Sequence, residues 1–537
     1  MMNNLRRGAV TRRALVMGAA ALGVGLPLAL GTRPAITAAQ DDASPTPQPG
    51  GVLRFGVSRE PSGFDPHIDT GFIDAALQGN VYDRLVEYSD TGEIVPALAE
   101  SWEMPDDRTY IFHLRDGVTF HNGDPFTSAD VIYTFDRILD ENTGATLRSE
   151  SQNMESYEAV DPLTVKIVTR EPYASFLTIL ASNPMSIVSK AWAEAGGDFQ
   201  QEMVGTGPFM LAEYEPEVRY VMPKNPNYWK PGLPYLDSLE LIPTKDIAAR
   251  ISGLQSGQLD FVDNIPWQDM LMLGDNPDFA VHMGYVSFAV LRINPTLPPT
   301  DLQLVRQALN YAINRDDVSQ AAYGGMALPM TGSLFPEGSF WYEPSLADRY
   351  AYDPDKAKVL LAEAGFADAG EVSLGLTTTS PDEGSIGDVA LVVLQNLEDL
   401  GLNVDFEVVV DFQVVVDKRI SGEYQLMADG LDWTTPDPDA LSLYFQTGGS
   451  QYAAGVGYSN PELDALFEQG RVTPDQEARK AIYLQVQQII LDDAPWIFGV
   501  WRPEAEASRS VVHGYTRIAD LGVYSVGYFE NIWMSGE

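Results

Sequence analysis

One segment of the sequence combines a hairpin pattern with a helix pattern: residues 99–139, AESWEMPDDRTYIFHLRDGVTFHNGDPFTSADVIYTFDRIL. TYIFHL alternates like a strand and is followed by RDGVTF, which predicts a hairpin with Asp116 and Gly117 at its turn. Thr127 or Ser128 is a typical N-cap for the helix ADVIYTFDRILD. The apolar residues of this helix lie on one face: Val131, Ile132, Phe135, Ile138 and Leu139. We therefore expect a hairpin followed by an amphipathic helix.

The length and charge of the chain limit its class. Its 537 residues exceed what a single hydrophobic core normally supports, and strands and helices alternate without strict order. We therefore expect several α/β lobes whose sheets receive strands from distant segments. The 34 Lys and Arg residues stand against 76 Asp and Glu residues, for a net charge of -42. Such a charge repels nucleic-acid phosphates and anionic lipids, so we expect no nucleic-acid partner.

The first forty residues resemble a twin-arginine signal peptide. Arg12 and Arg13 precede an apolar run at 14–30, and small residues suited to cleavage end near Ala39. We expect residues 1–39 to direct export. A Pro-rich linker at 40–50 would follow before the first strand, GVLRFGV at 51–57.

A single membrane anchor is the alternative for this apolar run. The run is near the short end of the roughly 17 to 25 residues that span a bilayer, and Gly23, Gly25 and Pro27 interrupt it. Export with cleavage is therefore favoured. The sequence has no cysteine, which excludes disulfides, thiolate metal sites and a cysteine-linked lipoprotein.

The usual markers of catalysis and metal binding are missing from the sequence. The five histidines lie far apart, at positions 67, 113, 121, 282 and 513. The chain carries neither a nucleophile elbow nor a P-loop, and no dinucleotide fingerprint follows a strand. Paired carboxylates such as Asp437 and Asp439 are expected by chance among 76 acids, so they do not indicate a glycosidase. We therefore predict no catalytic residue, no metal ligand and no cofactor.

A series of motifs resembles, in the same order, the bacterial extracytoplasmic solute-binding proteins of family 5, which serve peptide, opine and nickel ABC importers. The opening segment 99–139 belongs to this series. The other motifs are FDPH at 64–67, GTGPFMLAEYEP at 205–216, KNPNYWKPGLPYLDSLELIP at 224–243, RISGLQSGQLDFV at 250–262, VRQALNYAINRDDV at 305–318, YDPDKAKVLLAEAGF at 352–366 and DPD at 437–439. Together they span nearly the whole chain after the signal segment.

The resemblance implies an α/β fold of the type II periplasmic-binding-protein class, pear-shaped and built of three domains. Domain I would comprise 51–90, 205–300 and 505–537, domain II would comprise 91–204, and domain III would comprise 301–504. The ligand would lie between domains I and III, which close on it about a hinge. The opening segment would then be structural, in domain II and away from the ligand.

The resemblance also implies a ligand-binding segment directly after the D-P-H turn. In peptide binders of the family, the residues at this place lie beside the ligand backbone. They correspond here to Thr70, Gly71 and Phe72. An extended ligand would add there as a strand.

A second implied segment is GLDWTTPDPDA at 430–440. Family peptide binders generally place an Asp three residues before the first acid of the DPD-like motif, where it holds the α-ammonium of the peptide. The residue here is Thr434, and a charge-assisted bond is worth roughly 1.5 to 3 kcal/mol. Asp432 is the candidate substitute if the segment is extended, with Trp433 then facing away. The alternative is a solvated acidic loop with a core tryptophan.

The favoured function is that of an exported receptor which captures a peptide and delivers it to an ABC importer. The first alternative is the same role for another solute, such as an oligosaccharide, opine or metal chelate. The second is a different class, a secreted hydrolase or a chaperone-like interaction protein. We expect a monomer without enzymatic activity, periplasmic or at the cell surface, that works with separate permease and ATPase subunits.

Overall fold

The structure is a computed structural model, and it describes residues 46–69, 71–379, 386–432, 437–448, 457–517 and 528–536. Pro47–Glu537 form one unit and Met1–Thr46 another. The predicted signal segment and linker residues 40–45 lie outside the described residues. Within the described ranges, no helix combines the length and apolar character needed to cross a membrane.

Helices and strands alternate along the described chain. The helices are α1 Phe72–Gln78, α2 Ser128–Leu139, α3 Arg148–Ser151, α4 Phe176–Leu180, α5 Lys190–Glu194, α6 Ile247–Ser256, α7 Trp267–Gly274, α8 Gln303–Tyr311, α9 Arg315–Tyr323, α10 Pro354–Glu363, α11 Ile386–Leu400, α12 Phe412–Ser421, α13 Ser442–Phe445, α14 Pro461–Arg471 and α15 Gln476–Asp493. The strands are β1 Val52–Val57, β2 Val86–Tyr88, β3 Ile94–Pro96, β4 Ala99–Glu103, β5 Thr109–Leu114, β6 Met154–Asp161, β7 Thr164–Thr169, β8 Glu213–Glu215, β9 Arg219–Pro223, β10 Ser238–Pro243, β11 Phe261–Val262, β12 Phe279–Ile293, β13 Leu328–Pro329, β14 Ser373–Thr379, β15 Asn403–Val409, β16 Leu426–Asp432, β17 Trp496–Arg509, β18 Val512–His513 and β19 Trp533–Met534.

Most strands belong to one mixed sheet, in the order β15-β14-β16-β12-β17-β11-β1-β10-β9-β8, with β13 also on β17. The long strands β12 and β17 pair antiparallel in its middle. On one side β16, β14 and β15 run parallel to one another. On the other side β11, β1 and β10 do the same. The central pair therefore joins two groups of parallel strands.

The register of the central pair shifts at two places, between Ala289 and Val290 and at a bulge between Gly284 and Ser287. Gly284 is opposite Glu504, but the next pair is Ser287 with Arg502, so Tyr285 and Val286 face a single residue on β17. Bulges bend a strand and weaken its ladder locally.

Three larger hydrophobic clusters are built mainly from residues 288–501, from 85–187, and from 53–82 together with 188–261 and 512–532. The proposed boundaries of three domains stay a prediction.

The opening segment is partly as predicted. Thr127 caps α2 in a capping box with Asp130, which confirms the predicted helix start. The predicted hairpin is wrong, because β5 pairs with β4 on one side and with β7 on the other. Both edges of β5 are thus occupied, and the residues after the Asp116-Gly117 turn form only a bridge between Thr119 and Pro125.

Other local predictions agree with the structure. The first strand, expected at 51–57, is β1. The pattern DKAKVLLAEAGF at 355–366 predicts an amphipathic helix that ends with Gly365 as its C-terminal cap. The structure has α10 there, and Gly365 follows it at φ 103°, in the left-handed region that favours glycine at a helix end.

Candidate functional site

The carboxyl ends of parallel strands from both groups lie close to the bulge. Ligands in open α/β sheets usually bind beyond such ends. β16 ends at Asp432, which pairs with Ser287 directly after the bulge. β11 ends at Val262, which pairs with Ala507 on β17. Because Ser287 is opposite Arg502, the two ends are separated by five residues of β17, or about 16 Å.

Charged side chains collect on one face of the sheet at the bulge. Residues 502, 504 and 506 alternate along β17 and therefore share a face. We call the following six residues the bulge cluster: Ser287, Asp432, Arg502, Glu504, Glu506 and Arg517.

The hydroxyl of Ser287 connects two carboxylates. The side chain of Ser287 is buried, and its Oγ is within hydrogen-bonding distance of Oδ1 of Asp432 and of Oε1 of Glu504. Tyr444 donates a 2.6 Å hydrogen bond to the main-chain carbonyl of Asp432 and so fixes the end of β16. The side chain of Asp432 is 41% exposed, which leaves it accessible to a ligand.

Two arginines lie against the acids of the cluster. Nη2 of Arg502 is 3.2 Å from Oδ1 of Asp432 and 3.9 Å from Oε1 of Glu504. Nη2 of Arg517 is 3.5 Å from Oε2 of Glu504, and its Nη1 pairs with Glu506. Burial, followed by the charge of Asp432, raises the pKa of Glu504 above its ordinary range.

Glycines make room for both guanidinium groups. A Cβ at Gly284 would lie 2.6 Å from Nε of Arg517, and a Cβ at Gly430 would lie 3.4 Å from Nη1 of Arg502. Gly430 precedes Asp432 by two residues and shares its face of β16. A larger residue at position 284 would displace Arg517, whereas at position 430 its Cβ would press first on Ile386, at 3.0 Å, and only touch Arg502.

Asp263 lies one residue beyond the end of β11. Ser58, one residue beyond the end of β1, donates a 2.6 Å hydrogen bond to Oδ2 of Asp263. Burial raises the pKa of Asp263 to about 6. Its Oδ1 has no hydrogen-bond partner in the described part of the chain, and Nε of Arg250 is 3.7 Å away. Asp263 is therefore a second polar group at the carboxyl ends of the strands.

The D-P-H turn is held by the helix of the opening segment. Nη1 of Arg137, on α2, donates to Asp65 at 2.9 Å and to Nδ1 of His67 at 2.5 Å. Because Nδ1 accepts, Nε2 carries the hydrogen and donates it to the carbonyl of Ser186 at 2.9 Å. Burial, followed by Arg137, lowers the pKa of His67 to about 4, so this histidine is neutral and structural.

The residues predicted to contact the ligand after this turn are only partly described. Gly71 has φ 136°, and a Cβ there would lie 2.6 Å from Nη2 of Arg59. Phe72 begins α1 and is half-buried. Thr70 lies outside the described residues. Across the ranges that the structure covers, no hydrogen bond or ring contact joins Gly71 or Phe72 to the bulge cluster.

In the second predicted segment, the structure describes Asp432 but neither Trp433 nor Thr434, which lie outside the described residues. The acids of the DPD motif are anchors rather than free carboxylates. Asp437 makes two 2.6 Å hydrogen bonds with Arg479. Asp439 accepts from Nε of Arg471 at 2.8 Å.

The sequence reasoning found Asp432 but missed its partners in the cluster. One signal was present in WRPEAEASR at 501–509, where polar residues occupy alternate positions of an otherwise apolar strand. Such alternation indicates that one face of the strand meets charge or solvent. Ser287 and Arg517 carried no comparable local signal.

Comparison with known proteins identifies the family. Residues 93–453 match the family described as Bacterial extracellular solute-binding proteins, family 5 Middle. The chain belongs to this family. The glutathione-binding protein GsiB of Escherichia coli K12 is 30% identical over 480 residues, which cover 85% of this chain and 90% of that protein.

Solved structures of the family share the fold. The ABC transporter-associated periplasmic binding protein DppA of Helicobacter pylori, in complex with the peptide STSA, matches with a TM-score of 0.75 and 28% identity. AgaA of A. tumefaciens R10, in complex with agropinic acid, matches with a TM-score of 0.74 and 28% identity. Each comparison covers 91% of this chain and 99% of the other. The α/β fold of the type II periplasmic-binding-protein class is thereby confirmed, as is the role of a solute-binding protein.

Proposed function

We propose that this solute-binding protein captures a peptide and holds the peptide's ammonium at Asp432. The position of Asp432 carries this proposal: it ends a parallel strand at the bulge, is partly exposed, and belongs to a cluster with more acids than arginines. The relatives that bind glutathione and the peptide STSA support a peptide as the solute.

Capture would proceed by bending at the bulge, which brings the predicted domains I and III together. The carboxyl ends of β11 and β16 are about 16 Å apart along β17. An extended peptide advances about 3.3 Å per residue, so one of three to five residues matches this span. Gly71 and Phe72 remain proposed contacts of the peptide backbone.

The remaining parts of the function follow the same proposal. Residues 1–39 direct export through the twin-arginine route, and the protein acts outside the cytoplasm as a monomer. It passes its solute to the permease and ATPase subunits of an ABC importer without chemical turnover. Small-angle scattering should show a monomer that becomes more compact with ligand, and deletion of the protein should abolish uptake.

An opine is the second candidate solute. Two observations favour it: Thr434 stands where the family's peptide binders generally carry an acid, and AgaA was solved with agropinic acid. An oligosaccharide or a metal chelate has no comparable support. Among the described residues, no group of three His, Asp or Glu side chains is arranged to hold a metal ion.

The test begins with native mass spectrometry of protein purified without refolding, which reports any retained solute. Calorimetric titration then compares glutathione, the peptide Ser-Thr-Ser-Ala and agropinic acid. We expect a peptide to be retained or to bind more tightly than agropinic acid. Preference for agropinic acid would replace the peptide with an opine. Conversion of a bound compound to products would contradict the binding role altogether.

A further inference from the structure

The contact of Ser287 with two acids implies a bound proton. A serine hydroxyl has one hydrogen and can donate it to Asp432 or to Glu504, but not to both. The remaining carboxyl oxygen makes a favourable contact with Oγ only if it donates a proton itself. The contacts therefore fit a single additional proton held on this group of three side chains.

The charges around Glu504 lead to the same conclusion. The groups that interact with it are Asp432 from β16, Arg502 from β17 and Arg517 from the segment after β18, while β12 contributes only the uncharged Ser287. Glu506 shares this face of β17 and pairs with Arg517. Of the residues that the structure describes, three carboxylates thus stand against two guanidinium groups. The cluster lacks one positive charge when all its acids are ionised.

The unbalanced negative charge can be assigned to particular acids of the cluster. Glu506 is satisfied, because it pairs with Arg517 and accepts from the hydroxyl of Tyr515 at 3.2 Å. His282, farther along β12, adds no charge at neutral pH, since burial lowers its pKa to about 4. Asp263 interacts electrostatically with Glu506 and is not among the groups that shift the pKa of Glu504. The excess negative charge is therefore shared by Asp432 and Glu504.

We propose that the ligand-free bulge cluster holds one proton along Glu504, Ser287 and Asp432, and that the ammonium of the ligand replaces this proton. This inference rests on the proposed function and specifies it, because the solute must bring a protonated amine to Asp432. On binding, Glu504 releases its proton to solvent, Ser287 keeps its own, and two ionised carboxylates face the ammonium. Protons then compete with the ligand, so affinity falls as the pH is lowered.

Calorimetry can count the released proton. Wild-type protein is titrated at pH 6 with glutathione and with Ser-Thr-Ser-Ala, in buffers that differ in ionisation enthalpy. We expect close to one proton released per bound ligand. The N-acetylated forms of both probes should bind more weakly and release none. Binding of the free-amine probes without any dependence on buffer enthalpy would overturn the exchange.

Two variants test where the proton lies. Glu504→Gln and Asp432→Asn each leave two guanidinium groups against two carboxylates, so each should abolish proton release. Glu158→Gln, at an exposed ion pair on β6, serves as the matched control and should release the wild-type number. If both cluster variants release the wild-type number of protons on binding, the proton comes from another group, and its assignment to Glu504, Ser287 and Asp432 is wrong.

A ligand-free measurement separates this inference from the peptide proposal. Acid-base titration of the folded wild type against Glu504→Gln should show one additional group that ionises above the ordinary glutamate range. An additional group that ionises near pH 4.5 would refute the held proton. If the proton is held but neither peptide probe binds at any pH, the peptide function and the exchange fail together, while the held proton stands. If the variants do not fold, the buffer series on wild type decides alone.

Discussion

Replacing Arg137 tests whether the family's signature segment stabilises the D-P-H turn. Arg137 pairs with Asp65 through both of its terminal nitrogens, and the two side chains are 13% and 2% exposed. The guanidinium also lies 4.2 Å from the ring of Phe199. Arg137→Met keeps an unbranched side chain but leaves the carboxylate of Asp65 buried without its partner. Breaking a buried pair in this way costs about 3–5 kcal/mol.

The second variant identifies the unpaired charge as the cause. Asp65→Asn in the Arg137→Met background removes that charge, so the double variant should be more stable than the sum of the two single effects predicts, by about 1–3 kcal/mol. Arg219→Met is the matched control. Its ion pair with Glu213 is 3.7 Å long and exposed, so its loss should cost less than about 1 kcal/mol.

Urea unfolding followed by tryptophan fluorescence measures these differences. Trp192 lies 4.9 Å from Phe199 and therefore reports on the region that Arg137 covers. A loss below about 1 kcal/mol for Arg137→Met, or strict additivity in the double variant, would refute the reasoning. The signature helix would then have another role than holding the turn.

Three further predictions concern pH, the ligand amine and the packing of the cluster. The pKa of His67 falls from 6.5 to about 4 on folding, so the imidazole takes up a proton at higher pH in the unfolded chain than in the folded one. The contribution of His67 to the free energy of unfolding is therefore complete above pH 6.5 and is lost as the pH falls toward 4, by about 3 kcal/mol. Urea midpoints at pH 7 and pH 5 should differ more in wild type than in His67→Gln, and equal differences would contradict this. Asp432→Asn and N-acetylation of a peptide should show a coupling of at least about 1 kcal/mol in calorimetry, whereas additive effects would remove Asp432 as the amine's partner. Gly430→Val should weaken peptide binding several-fold, because the new side chain would meet Ile386 at 3.0 Å and Arg502 at 3.4 Å; unchanged affinity would show that the position of Arg502 does not matter.

Local patterns predicted those parts of the fold that depend on neighbours in sequence. The cap at Thr127 and the helix end at Gly365 need only the residues around them, and both are confirmed. The hairpin after β5 failed for a non-local reason. Its pattern was compatible with a turn, but β7, about fifty residues farther along the chain, occupies the edge that the hairpin required.

The candidate site shows the same limit. Asp432 was found because its distance from the DPD motif is a local property. Its partners come from β12, β17 and the segment after β18, and only the pairing of long strands brings them together. The alternation in WRPEAEASR indicated a polar face at 502, 504 and 506, but sequence does not show what that face meets.

The location of the charges at the bulge has a mechanical consequence. Residues on either side of a register irregularity keep their ladder hydrogen bonds. In the proposed closure, a bend between the two groups of strands would therefore be taken up at the two irregularities of the central pair, between Ala289 and Val290 and, at the bulge cluster, between Gly284 and Ser287. Ser287 contacts Glu504 across this interval, while its other contact, to Asp432, joins directly paired residues of β12 and β16. Bending therefore changes the distance between Ser287 and Glu504 more than the distance between Ser287 and Asp432. A ligand ammonium that attracts both acids changes the same distance, between Ser287 and Glu504, that closure changes. Binding of the ammonium and closure of the protein should therefore be energetically coupled. Glu504→Gln should accordingly reduce the compaction that scattering detects on addition of a peptide, and full compaction in this variant would contradict the coupling.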